Sequence, residues 1–259
     1  MKAGARRIWL TGASSGIGYR LAVELLGQGH QVAVSARSSE PLQELARRFP
    51  GQVLVAIGDL TDADQVRNIG IRIRQEWGAL DCAILNAGRC EYLEASQFEA
   101  AMVERVMQGN LLTAAYCIET ALPLLRLGQR AQLVAVGSSV TFTALPRAEA
   151  YGASKAALRY LMESLRIDLA SEGIAVTLVS PGFVDTPMTA QNDFPMPFRW
   201  SVERAAREIA RRLPGQPCEI NFPFPFIAAL RLIGALPIRM QLAIGKRLAR
   251  PATQQEPRA

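Results

Sequence analysis

Seven short apolar runs dictate what this chain can fold into. They are "RRIWLTG", "QVAVSAR", "QVLVAIGDL", "LDCAILNAG", "AQLVAVGSS", "IAVTLVSPG" and "CEINFP". Most are unbroken stretches of Val, Ile, Leu and Ala instead of strict alternations, the pattern of strands covered on both faces. Helical spacing separates them, as at Ile17, Leu21 and Leu25 of "IGYRLAVELLGQG", which stops on glycine. Further helices are expected over "PLQELARRF", with proline well placed at its start, over "DADQVRNIGIRIRQEW", over "AYGASKAALRYLMESLRIDLASEG" and over "SVERAAREIARRL". A long helical stretch covers roughly Phe98 to Leu127, with a break expected near Gly109. Strands alternating with helices in 259 residues, without a linker or an internal repeat, predict one α/β domain. Right-handed crossovers then make a doubly wound parallel sheet of about seven strands, with ligands at the strand C-termini.

Composition excludes several chemistries. The one histidine, His30, sits in the turn-like "GQGHQV", so neither a histidine-based metal site nor a Ser-His-Asp triad is expected. Cys82, Cys90, Cys117 and Cys218 form no C-x-x-C pair, which points to reduced thiols in a cytoplasmic protein. "MKAGARRIWLTG" reaches a strand too soon for a secretory signal. From Ile220 onward six basic residues, Arg231, Arg239, Lys246, Arg247, Arg250 and Arg258, stand against Glu256 alone. That end therefore holds +5 of the net +6 charge, and the body is nearly neutral. With no nucleic-acid-binding signature, nucleic acid is not an expected partner.

"TGASSGIG" joins the first strand to the first helix, with glycines at Gly12, Gly16 and Gly18. Glycine permits a tight turn, close backbone approach to a pyrophosphate and close helix–sheet packing, while the helix N-terminus offers free N–H groups to an anion. In this context the turn predicts a dinucleotide site that includes Ser14, Ser15 and Ile17. A cofactor with a free 2′-hydroxyl meets an acid about twenty residues on. Here Ala36 stands in that neighbourhood and Arg37 follows, with Ser38 as an added donor, which favours a 2′-phosphate and NADP(H) over NAD(H). Asp59 and Leu60 either border the adenine or, for Asp59, serve as a turn or capping residue.

Tyr151 and Lys155 lie four apart at a helix start and share a face. A nearby lysine cation is expected to favour the phenolate, drawing the tyrosine down from about 10 so that it can exchange a proton with a substrate oxygen. Ser138, at the end of the fifth strand, can hydrogen-bond the same oxygen. Lysine is scarce, three residues against twenty-six arginines, which argues against Lys155 as a random surface charge.

The ordered set "TGASSGIG", "NAG" (Asn86, Ala87, Gly88), "GN" ending at Asn110, "GSS", "YGASK" and "SPGFVDTPM" resembles the short-chain dehydrogenases/reductases over about residues 6–222. The resemblance implies a Rossmann fold in residues 1–222 and a tetrad of Asn110, Ser138, Tyr151 and Lys155. It implies that Asn110 holds a helix backbone and a proton-relaying water, and that Lys155 also holds the nicotinamide ribose. Asn86 supports the sheet near the cofactor, and Pro181, Gly182, Val184 and Thr186 border the nicotinamide. Serine spacing within the family selects Ser138, while members with a Ser-Ser pair often use the second, here Ser139. The implied activity is hydride transfer between a carbonyl and an alcohol. A homo-oligomer, dimer or tetramer, is expected.

"MTAQNDFPMPFRW" places Met188, Phe194, Met196, Phe198 and Trp200 where a substrate loop would lie, with Tyr92 and Phe142 as candidate neighbours. It is either core packing or an apolar lid, and the lid predicts a hydrophobic substrate. Residues 223–259 form an extension. Only eleven residues separate Pro225 from Pro237, so a helix there is about 16 Å long, too short for a bilayer. A second short helix starts at Pro237. The extension is either a peripheral membrane foot or a greasy cover against a subunit or the substrate mouth.

Overall fold

The computed structural model describes residues 4–190 and 192–249. Arg250, Glu256 and Arg258 of the basic tail lie outside them. Seven parallel strands form one sheet in the order β3-β2-β1-β4-β5-β6-β7. They are β1 (Arg7–Thr11), β2 (Gln31–Ser35), β3 (Val53–Val55), β4 (Cys82–Leu85), β5 (Gln132–Val136), β6 (Ala175–Pro181) and β7 (Glu219–Phe222). The connecting helices are α1 (Gly16–Gly27), α2 (Ser39–Arg48), α3 (Ala63–Trp77), α4 (Ala100–Met107), α5 (Thr113–Leu125), α6 (Glu149–Asp168) and α7 (Val202–Arg212), followed by α8 (Phe224–Ala235) and α9 (Ile238–Leu248).

The continuous apolar runs are explained by two cores, one on each face. Ile8 and Leu10 point to the side packed by α1, α2 and α7, through Leu21, Leu25, Leu42, Leu45 and Ile209. Trp9, between them in sequence, points to the side packed by α3, α5 and α6, through Ile73, Ala121, Leu158 and Met162. Its indole N–H donates to Ser35 Oγ at 2.9 Å, so the largest buried side chain leaves no orphan donor. The chain reverses its direction of sheet growth between β1 and β4, and the crevice at their C-terminal ends is where such a sheet holds ligands.

The expected break near Gly109 is instead a π-helical turn, Gln108–Leu112, between α4 and α5. The wider turn keeps the helix continuous and turns Asn110 into the protein, where it is 1% exposed. Beyond β7, Phe226, Ile227 and Leu230 bury the inner face of α8, whereas α9 buries no residue fully. No helix among the described residues is long and apolar enough to cross a membrane.

Candidate active site

The glycine turn is built by steric necessity. Gly12 (φ +66°) and Gly16 (φ +53°) occupy the left-handed region. Gly18 has an ordinary φ but no room: an added Cβ would stand 2.1 Å from Gly12 O and 2.5 Å from Asn86 Nδ2. Asn86 ties the ends of β4 and β1 together, its Nδ2 donating to Thr11 O at 3.1 Å and Gly12 O at 3.2 Å. Ser15, at the N-cap of α1, does not cap the first turn with its side chain, so those N–H groups open on the adjoining cleft.

That cleft holds about 420 Å³ and runs along the C-terminal ends of the central strands. Gly12, Ser14, Ser15, Gly16 and Ile17 form one wall. Arg37, Ser38, Asp59 and Leu60 follow at the ends of β2 and β3. Asn86, Ala87 and Gly88 after β4, and Pro181, Gly182, Val184 and Thr186 at and after the end of β6, complete the lining named in the sequence. Gly18 and Asn110 do not line it; both lie one layer behind. Asp59 also makes a turn, its Oδ1 accepting from Thr61 N at 3.0 Å and Thr61 Oγ1 at 2.8 Å, and these bonds hold its carboxyl below the usual range.

Ser138, Tyr151 and Lys155 meet at the inner end of the cleft. The Ser138 hydroxyl stands near enough to the Tyr151 phenol to favour its ionised form. Ser139 starts the following 3₁₀ turn and is buried, 6% exposed, outside the cleft lining. Lys155 Nζ lies 5.9 Å from the Tyr151 ring centroid and donates to Val136 O at 2.9 Å. Asn110 braces this group from behind. Its Nδ2 donates to Arg89 O at 2.9 Å and to Ser154 Oγ at 2.8 Å, and its Oδ1 accepts from Arg89 N at 2.7 Å. Ser154 Oγ in turn donates to Tyr151 O at 2.7 Å. Gly88 is needed here because a Cβ would stand 2.9 Å from Asn110 Oδ1 and 3.4 Å from Lys155 Nζ.

The electrostatics correct one expectation. Burial is the dominant influence on both partners and disfavours each charged form. It pushes the Tyr151 phenol up, helped by Cys90, while Ser138 opposes it. It pulls Lys155 down to about 8. The group that eases the phenol toward ionisation is therefore Ser138, and the lysine, at ring-face distance, does not overcome desolvation.

A sequence model of the family described as short chain dehydrogenase matches residues 6–195. The chain belongs to that family. An uncharacterized oxidoreductase of Myxococcus xanthus is 33% identical over 246 residues, covering 94% of this chain and 97% of its own length. The 11-beta-hydroxysteroid dehydrogenase A of Sesamum indicum is 34% identical over 185 residues, 70% of this chain and 53% of that protein. Among solved structures, the RhlG/NADP active-site complex of Pseudomonas aeruginosa superposes with a TM-score of 0.76 at 28% identity, covering 86% of this chain and 96% of that one. A short-chain dehydrogenase of Streptomyces avermitilis matches in fold, with a TM-score of 0.80 at 22% identity over 96% of this chain and 98% of its own. This protein is thus an oxidoreductase of a family that uses NAD(P).

In this short-chain dehydrogenase, several cleft residues carry no motif in the sequence: Gly58, Thr61, Arg89, Thr113 and Thr189. Arg89 follows directly on Asn86, Ala87 and Gly88. It pairs with Glu91 at 3.1 Å and is positioned by Asn110, a contact across 21 residues that no local spacing encodes. Met188 lines the cleft mouth. Phe194 packs edge-on to Tyr92 at 5.4 Å and against Phe183 at 6.1 Å, and Phe183 meets Phe226 of α8 at 5.3 Å. Trp200 instead stacks on Phe222 at 4.9 Å and belongs to the core side. Tyr92 also donates to Asn192 Oδ1 at 2.6 Å. Phe142, expected near the substrate, faces Arg159 and Arg231 and does not line the cleft.

Proposed function

We propose that this protein is an NADP(H)-dependent oxidoreductase that interconverts a carbonyl and an alcohol on a hydrophobic substrate. The convergence of Ser138, Tyr151 and Lys155 on the lining of the glycine-turn cleft carries the reading. The cleft fits a dinucleotide: its turn admits no Cβ at Gly12 or Gly18, and uncapped α1 N–H groups suit a pyrophosphate. When bound, the nicotinamide supplies or accepts the hydride. In reduction, the Tyr151 phenol donates its proton to the substrate oxygen while Ser138 hydrogen-bonds that oxygen; in oxidation, Tyr151 takes the proton back. Lys155 would hold the nicotinamide ribose, with Asn110 bracing the helix that carries both groups. Thr186 and the Val184 backbone would hold the carboxamide.

Exposed Arg37 on the cleft wall, with buried Ala36 where an acid would meet a 2′-hydroxyl, supports NADP(H). So does the NADP in the Pseudomonas complex and the 5-hydroxy-NADP in an alcohol dehydrogenase of Thermococcus sibiricus. Met188 and the Phe183, Phe194 and Phe226 rings support an apolar substrate, in keeping with a hydroxysteroid dehydrogenase among the relatives. The test is oxidation of NADPH, with NADH in parallel, across aldehydes and ketones of increasing chain length and across sugars. Turnover that rises with chain length and prefers NADPH is expected. Sugars outperforming long carbonyls in kcat/KM would remove the apolar substrate, and NADPH binding without any turnover would favour a silent sensor.

A second observation supports a peripheral membrane foot on a cytoplasmic enzyme. Phe224, Leu232, Ile238 and Leu242 are exposed on α8 and α9, beside Arg239, Lys246 and Arg247 and with no acid from residue 223 to 249. A two-fold contact through this surface would set like charges together. Salt-sensitive pelleting with anionic liposomes is expected, and its absence for the full chain refutes the foot. Exposed Tyr160 and Ile167 on α6 supply an apolar contact for the expected dimer or tetramer, which light scattering reads.

A further inference from the structure

The turn that follows Ser138 is held from outside the nucleotide-binding sheet. Ser138 caps the 3₁₀ turn Ser139–Phe142, with Oγ accepting from Val140 N at 3.2 Å and its carbonyl from Thr141 Oγ1 at 2.9 Å. On the strand side the segment is anchored by Gly137 N, which donates to Val179 O at 2.7 Å. At the other end the Phe142 ring faces two guanidinium groups. Arg159 of α6 stands 5.1 Å from its centroid and Arg231 of α8 stands 4.7 Å away.

Both arginines also grip one carboxylate. Glu219 of β7 accepts from Arg159 at 2.6 Å through Oε1 and from Arg231 through Oε2, and Asn221 Nδ2 adds a bond at 2.7 Å. Glu163 takes a further contact from Arg159 at 2.8 Å. Two cations, two carboxylates and the negative face of a ring make a balanced cluster, and Glu219 stays ionised despite its partial burial. The backbone adds a third contact. Gly234 of α8 approaches so closely that a Cβ there would stand 2.1 Å from Phe142 O.

We propose that Arg231 is a positioning residue: helix α8 of the C-terminal extension, working with Arg159 through Phe142, fixes the turn that aims the Ser138 hydroxyl at Tyr151. The proposal rests on the reading of Ser138 and Tyr151 as the carbonyl-binding pair. Catalysis is sensitive to such placement, because a 1 Å error costs on the order of 10²-fold in rate. The extension therefore belongs to the active-site frame whatever its outer face meets.

The test compares Arg231→Ala, Arg231→Lys and the surface control Arg239→Ala in the full chain, alone and with Ser138→Ala. Arg231→Ala is expected to lower kcat about tenfold, leave NADPH affinity within about twofold, and add no further loss in the Ser138→Ala background. Arg231→Lys, which keeps the charge but not the planar face, should recover only part of the loss. The pH profile of alcohol oxidation should move to higher pH, because Ser138 no longer eases Tyr151 ionisation. Hydrogen exchange at residues 140–142 should rise about tenfold while residues 12–18 keep their protection. Unchanged exchange, an unchanged kcat, or a kcat loss equally large without the Ser138 hydroxyl each overturns the proposal. Exchange needs no substrate, so a wild type inactive on every carbonyl fails the functional reading and still leaves the clamp decided. Should Arg231→Ala not fold, Phe142→Leu removes the ring and keeps the apolar bulk for the same measurements.

Discussion

A methyl group at Gly18 tests whether the glycine turn is a steric requirement. The Cβ of Gly18→Ala would stand 2.1 Å from Gly12 O and 2.5 Å from Asn86 Nδ2, whereas carbon–oxygen contacts settle near about 3.3 Å. A gap of about 1 Å must therefore open. Helix α1 cannot retreat, because Leu21, Ala22 and Leu25 are buried against the sheet and α7. Overpacking of this kind costs about 1–3 kcal/mol. The two Asn86 bonds to Thr11 O and Gly12 O are displaced with it, at about 0.5–1.5 kcal/mol each. Alanine's better helix propensity returns only about 0.5–1 kcal/mol. A net loss of about 3 kcal/mol follows, read from urea unfolding at pH 7. A fluorescence titration should show NADPH affinity falling more than about tenfold, since Gly12 and Asn86 both line the cleft. Gly27→Ala in the same helix meets nothing within 4 Å and is expected to be neutral or stabilising by up to about 1 kcal/mol. A Gly18→Ala enzyme as stable as wild type, with unchanged affinity, would refute the close-approach argument.

Arg37→Glu should lower the preference for NADPH over NADH in kcat/KM by at least about tenfold, a modest figure because the side chain is exposed and screened; an unchanged ratio places the 2′-phosphate elsewhere. Ser138→Ala should cut kcat by about 10²-fold while Ser139→Ala stays near wild type, since Ser138 lines the cleft beside Tyr151 and Ser139 is buried outside it; the reverse order in steady-state kinetics would assign the role to Ser139. Burial opposes ionisation of Asp81, but bonds from Arg7 and from the Gln129 backbone outweigh it and hold the carboxyl below its ordinary value. A depressed folded value means that the stabilisation is complete above the unfolded value of about 3.9 and disappears as pH falls through the folded one. Asp81→Asn should thus cost about 3 kcal/mol at pH 7 in urea unfolding, with the gap to wild type narrowing below about pH 4; a gap independent of pH would show that the charge is not the cause.

Much of the architecture was readable because its causes are local. Unbroken Val, Ile and Leu runs report strands buried on both sides, and Ile8, Trp9 and Leu10 do divide between the two cores. Pro225 and Pro237 marked two short terminal helices, and α8 and α9 stand there. Gly109 marked the place of an irregularity but not its kind, since the π-helical turn Gln108–Leu112 differs from a helix end only in the contacts that hold Asn110 inward. Arg89 and Thr113 had no signal at all, because their place in the cleft depends on chain crossings far apart in sequence.

By itself the sequence determined the order of strands and helices, the glycine turn between β1 and α1, and the shared face of Tyr151 and Lys155. Periodicity, left-handed backbone and helical spacing act within a few residues. Only the tertiary structure decided which serine lines the cleft with Tyr151, the direction in which burial moves Tyr151 and Lys155, and the capture of Phe142 by Arg159 and Arg231. Those outcomes depend on desolvation and on contacts between groups as distant as Phe142 and Arg231, and both arise only when separate elements pack.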